Sequence, residues 1–144
     1  MLRIAAFYIE GCLFGLDSSF IHDILPLPAM VRIPQQTSQY FGGVVKLEDK
    51  RIIHMVNLEK LLGLTNGAAS DNSRLIVLRS DGPGMGITAD SVPRLLDVDE
   101  TAVMGTLPLS SIKKEFLRGI VTDNEKVIVL LDAQAIIGTL AAQP

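Results

Sequence analysis

Two histidines, His22 and His54, and one cysteine, Cys12, are the side chains here best suited to ligate a metal or attack a substrate. A four-ligand zinc site built from them would need carboxylates for part of its shell, and no pair among them has metal-ligand spacing. His54 stands within Ile52-Ile53-His54-Met55-Val56, which reads as a strand residue satisfied by local hydrogen bonds. His22, flanked by Ile21 and Ile24, reads as the polar face of another strand. Cys12 abuts a turn, and nothing in the sequence ties it to a base that would generate a thiolate. The run Gly82-Pro83-Gly84-Met85-Gly86 lacks the following helix and the Lys-Ser/Thr ending of a phosphate-cradling loop, so it reads as a hairpin. Glu48 with Asp49, and Asp97 with Asp99 and Glu100, could do acid–base work or bind calcium. Without the Gly and terminal Glu of a calcium loop they read as solvated surface. Catalysis has no anchor and no cofactor is expected; a small enzyme or ligand-binding barrel using His54 or the acidic turns is the opposing reading.

The elements that would carry these residues are mostly strands. Short apolar segments rich in Val and Ile are bounded by Gly, Pro, Asn or Asp. They predict ten strands: Ile4 to Glu10, Leu13 to Leu16, Ile21 to Leu25, Gly43 to Leu47, Arg51 to Val56, Arg74 to Arg79, Met85 to Thr88, Val92 to Val98, Arg118 to Thr122 and Lys126 to Leu131. Turns fit Glu10-Gly11-Cys12, Leu47-Glu48-Asp49-Lys50 and Asp123-Asn124-Glu125. Short helices are expected after Asn57, over Leu58 to Leu62 ending at Gly63, and after Asp132, over Ala133 to Leu140 with Asp132 as N-cap.

The two halves resemble each other when slid by about 71 to 76 positions, the mark of an internal duplication. Phe14-Gly15-Leu16 answers Met85-Gly86-Ile87, and Gly43-Val44-Val45 answers Gly119-Ile120-Val121. Matched glycines mark places where backbone geometry recurs. The expected fold class is all-β: two packed five-stranded SH3-like barrels within one domain over 1–144. The approximate lobes are 1–64 and 74–140, joined by the polar loop 65–73. With 48% hydrophobic residues, 5% aromatic and no Trp, the core must be aliphatic.

Thirteen basic and sixteen acidic residues give a net charge of −3 without a long run of either sign, so nucleic acid is not an expected partner. A single cysteine fits a reducing compartment, and the N-terminal apolar run, broken by Glu10, does not read as a signal peptide. No stretch approaches the roughly 18 apolar residues of a spanning helix, so direct membrane insertion is not expected. The expected location is the cytoplasm.

Taken in order, the motifs resemble the CheW-like domain of chemotaxis coupling proteins and of the chemotaxis histidine kinase. They run Leu13-Phe14-Gly15-Leu16, Ile21-His22-Asp23-Ile24-Leu25, Val31-Arg32-Ile33-Pro34 and Tyr40-Phe41-Gly42-Gly43-Val44-Val45. In the second half come Gly86-Ile87-Thr88-Ala89-Asp90-Ser91-Val92, Phe116-Leu117-Arg118-Gly119-Ile120-Val121 and Val127-Ile128-Val129-Leu130-Leu131-Asp132. Where the family commonly carries Asn-Leu-Arg-Gly and then Ile-Ile-Pro, this chain has Lys46-Leu47-Glu48-Asp49 and then Ile52-Ile53-His54. An acid replaces an Arg and the turn is one residue longer, although Lys50 or Arg51 returns a cation close by.

The resemblance implies a non-enzymatic adaptor that couples the cytoplasmic tip of a chemoreceptor to the CheW-like regulatory domain of a histidine kinase, recruited to membrane-associated receptor arrays. Service to a pilus or non-motility pathway is the alternative. Expected contact residues are Ile21, Asp23, Ile24, Val45, Lys46, Glu48, Asp49 and Val92. For the apolar ones, packing into the core is the competing role.

Overall fold

The computed structural model describes residues 1–9, 11–29, 41–56, 73–79, 84–103 and 114–141. Ten strands follow one another: β1 (Leu2–Ile9), β2 (Cys12–Asp17), β3 (Ile21–Pro26), β4 (Phe41–Lys46), β5 (Ile52–Val56), β6 (Arg74–Leu78), β7 (Gly84–Ala89), β8 (Arg94–Val98), β9 (Leu117–Asp123) and β10 (Lys126–Leu131). Helix α1 (Ala133–Ala141) closes the described chain. Its start is set by Asp132, whose Oδ1 accepts the Ala135 N–H at 2.9 Å, the N-cap expected from the sequence. The helix expected after Asn57 and nearly all of the polar loop 65–73 lie outside the described residues.

The strands form two five-stranded sheets, ordered β8-β1-β2-β10-β9 and β3-β6-β7-β5-β4. Advancing every strand of the first by five positions, cyclically, reproduces the second. The duplication therefore extends to connectivity, with antiparallel hairpins β1–β2 and β6–β7 matched and parallel pairs β2–β10 and β7–β5 matched. The β4–β5 and β9–β10 ladders skip one residue at equivalent places, beside Gly43 and Gly119, which share a φ of 157°.

Each sheet takes strands from both halves of the chain, so the sheets do not coincide with the lobes 1–64 and 74–140. Hairpin β1–β2 joins β8–β10, while β6–β7 joins β3–β5. The physical reason lies in β1, β6 and β7, whose residues are buried at nearly every position and need cover on both faces. Exchange of the hairpins supplies it. Leu2, Ile4 and Ala6 point into one barrel with Val98, Val121, Ile128 and Leu130, while Phe7 and Ile9 join a core between the sheets. That shared core adds Phe14 and Leu16, Ile76, Leu78 and Met85 from the other sheet, and Ile136 and Leu140 of α1. Each such large apolar side chain contributes about 1.5–3 kcal/mol by leaving water.

Inside each barrel a glycine lies where parallel strands meet. A Cβ on Gly15 would stand 3.0 Å from Ile128 Cγ2 and from Leu130 Cδ2, and one on Gly86 only 2.6 Å from Leu75 Cδ1. The sheets curl so that their edges approach. Arg94 of edge strand β8 pairs with Asp123 of edge strand β9 at 3.1 Å, and Leu25 of edge strand β3 shares an apolar cluster with Val45 of edge strand β4.

Candidate protein-interaction site

Seven of the eight residues expected to make contacts lie on the second sheet, or on the turn that extends it. Ile21 and Ile24 stand on edge strand β3, half-buried and packed against the core between the sheets. Between them Asp23 is half-buried, and its carboxylate accepts the Ile24 N–H at 2.9 Å. His22 is the unpaired residue of a bulge between Ile21 and Asp23 and is exposed, in keeping with the polar face read from sequence. Only Val92, 57% exposed just before β8, adjoins the first sheet, where the neighbouring Ser91 hydroxyl accepts the Tyr8 N–H at 3.0 Å.

Val45 must be corrected. At 0% exposure it belongs to the interior cluster with Leu47, Ile53 and Leu75 and has no surface to offer a partner. Alternation along β4 sends Lys46 outward and Val45 inward.

The β4–β5 turn is built on its own hydrogen bonds. Lys50 N–H donates to the Leu47 carbonyl at 2.9 Å, and Leu47 N–H to the Arg51 carbonyl at 2.9 Å. Lys50 takes a left-handed conformation, φ 74°, as in a type I turn followed by an αL residue. Lys46, Glu48, Asp49 and Lys50 are all exposed. Asp49 accepts from both the Arg51 N–H at 3.1 Å and the Arg51 Nε at 2.7 Å. The Arg51 backbone N–H, above all, holds the Asp49 carboxyl below its ordinary value, with the guanidinium adding to the effect. The cation returned after the turn is therefore engaged by one of the two acids, leaving Glu48 between two lysines of the turn.

The residues first considered for chemistry stay apart. Cys12 is exposed at the start of β2, and His54 is half-buried within β5, opposite Val44 and Met85. Among the described residues there is no group of three His, Cys, Asp or Glu side chains that could hold a metal ion. Likewise, no described helix is long and apolar enough to cross a membrane.

A feature the sequence reading missed is a cleft of about 830 Å³ lined by Phe20, Arg51, Ile52, Arg79, Ile137 and Gly138, among others. Its residues come from five places in the chain, which hides it from local patterns. The repeat nevertheless carries a signal. An offset of 71 sets Arg79 against Tyr8 and Gly84 against Leu13, so this end of the second sheet has a cation and a glycine where the first has an aromatic and a leucine.

Comparison with known proteins agrees with this architecture. No curated protein matches the sequence. The solved structure of the scaffolding protein TtCheW from Thermoanaerobacter tengcongensis is similar, with a TM-score of 0.79 and 26% identity over 91% of this chain and 84% of that one. A family model for the CheW-like domain matches residues 3–141, and with the exchanged, duplicated barrels it establishes that the chain belongs to the CheW-like domain family.

Proposed function

We propose that the chain is a chemotaxis adaptor that joins the cytoplasmic tip of a receptor to the CheW-like regulatory domain of a histidine kinase, by binding and without catalysis, in the cytoplasm. The observation that carries this reading is the match of the family over nearly the whole chain, to a protein described as a scaffold. Barrel surfaces bearing a charged turn beside apolar residues are suited to such contacts. Ile21, Asp23 and Ile24 of β3, the turn residues Lys46, Glu48 and Asp49, and Val92 are the proposed contacts.

The turn favours a second reading at the level of pathway. Glu48 stands where coupling proteins commonly carry Arg, so the partners would belong to a pilus or non-motility system with complementary charge at that place. Both readings meet one experiment. Glu48→Arg is titrated against kinase domains and receptor fragments of both kinds of pathway, beside a melting curve. Tighter binding of motility-type partners, at unchanged melting temperature, supports the second reading, and weaker binding supports the first. A variant that binds every partner as the wild type does removes the turn from the contact surface.

A further inference from the structure

We propose that Asp17 is a positioning residue for strand β3: its carboxylate holds the turn that sets the β3 bulge, and the bulge aims Ile21, Asp23 and Ile24. The inference rests on the adaptor reading and names what holds one of its contact surfaces in place.

Asp17 ends β2 in the first sheet, and after the 3-10 turn Ser18–Phe20 the chain enters the second sheet as β3. Asp17 caps that turn. Its Oδ1 accepts the Ser19 N–H at 3.0 Å and the Ser19 hydroxyl at 2.9 Å. The far end of the turn is tied to the second sheet, where the Arg79 N–H donates to the Phe20 carbonyl at 2.8 Å. The crossing between the sheets is thus held on both sides.

The bulge depends on that hold. In a regular strand, residues three apart face opposite sides. Ile21 pairs with Leu78 and Ile24 with Ile76, yet both pack on the core between the sheets, because His22 is bulged out of the ladder and shifts the register by one. The same shift sets Asp23 opposite Val77, a member of the interior cluster of the second barrel. Pairing of Ile24 and Leu25 fixes the bulge from one side. From the other it is fixed by the start of the strand, which the Asp17 cap places. Without the bulge, either Ile21 or the pair Asp23 and Ile24 turns to the opposite face.

The operative feature is an acceptor oxygen. Asp17 Oδ2 also meets Arg118 of β9, but at 3.7 Å and partly exposed, a geometry that contributes little. The two shorter hydrogen bonds to Oδ1 outweigh it, and asparagine supplies the same acceptor. Asp99 provides a matched control. Its Oδ1 accepts the Thr101 N–H at 3.0 Å and hydroxyl at 2.8 Å, capping the turn Glu100–Ala102, which leads to none of the proposed contact residues.

The test titrates the wild-type chain, D17A, D17N, D99A and R118Q with a kinase regulatory domain and a receptor cytoplasmic fragment from the same genome. Each variant is also melted, and the NMR cross-peak between the paired residues Ile21 and Leu78 is recorded. D17A is expected to weaken at least one partner by about ten-fold and to lose the cross-peak. D17N, D99A and R118Q should keep the cross-peak and bind within about three-fold of the wild type, although D99A melts as early as D17A. A D17A chain that keeps both binding and cross-peak overturns the inference, as does an equal loss in D99A or a failure of D17N to restore binding. Those outcomes, with a wild type that binds, sink the positioning role alone. A wild type that binds neither partner sinks the adaptor reading, and the cross-peak still decides whether Asp17 sets the bulge.

Discussion

The matching ends of the two barrels carry different side chains on the same scaffold. In the first sheet Tyr8 faces Leu13 across the β1–β2 ladder; in the second Arg79 takes the equivalent place, beside the start of β7 at Gly84. The scaffold beneath is the same, with the same strand order after the cyclic shift, the same bulge, and a glycine at the same parallel crossing. Duplication conserved what closes a small barrel. It left the rims free to diverge, because a rim side chain carries little of the core and can be exchanged at small cost in stability.

The strongest test of the shared scaffold is the core between the sheets. Phe14→Ala, from the first sheet, is expected to cost about 3–5 kcal/mol, and Met85→Ala, its counterpart in the second, about 2–5 kcal/mol. Both should lower a single calorimetric transition, because the sheets share that core; two separate transitions would break the comparison. Next come the buried glycines. Gly86→Ala is expected to cost about 1–3 kcal/mol by overpacking and to exceed Gly15→Ala, since its added Cβ would approach 2.6 Å rather than 3.0 Å. Denaturant midpoints of the two variants decide the order.

Smaller effects sharpen the contrast between rims and turns. Gly138→Ala should raise stability by about 1 kcal/mol, read by urea unfolding, because the position is helical and open. Lys50→Gly should stabilise by about 0.5–1 kcal/mol by relieving a left-handed residue in the β4–β5 turn. A titration of Asp49 by NMR should place its carboxyl below the ordinary value of 3.8. Since the folded value is the lower one, its contribution is full above about pH 4 and is lost as pH falls through the folded value. Arg51→Ala should move that value back towards the ordinary one only in part, because the backbone N–H of residue 51, the larger cause, remains.

Much of this fold was legible in the sequence, since alternating Val and Ile between turn residues located all ten strands and Asp132 marked the start of α1. The repeat was visible in Phe14-Gly15-Leu16 and Met85-Gly86-Ile87. The exchange of hairpins was not, because a strand's own residues say which faces need burial but not which neighbour provides it. The apolar run from Ile4 to Phe7 held the clue, as a strand covered on both faces belongs between two layers. Val45 was read as a contact because pattern alone does not tell which face of a strand turns inward. The cleft was missed because Phe20, Ile52, Arg79 and Ile137 meet only after the sheets form.

The central claim is that one chain holds two proteins at once. Sedimentation velocity on the wild-type chain mixed with a kinase regulatory domain and a receptor cytoplasmic fragment from the same genome tests it directly. The account predicts that each binds alone and that the mixture forms a ternary species. Binding of neither, or binding of one only by displacing the other, would contradict it.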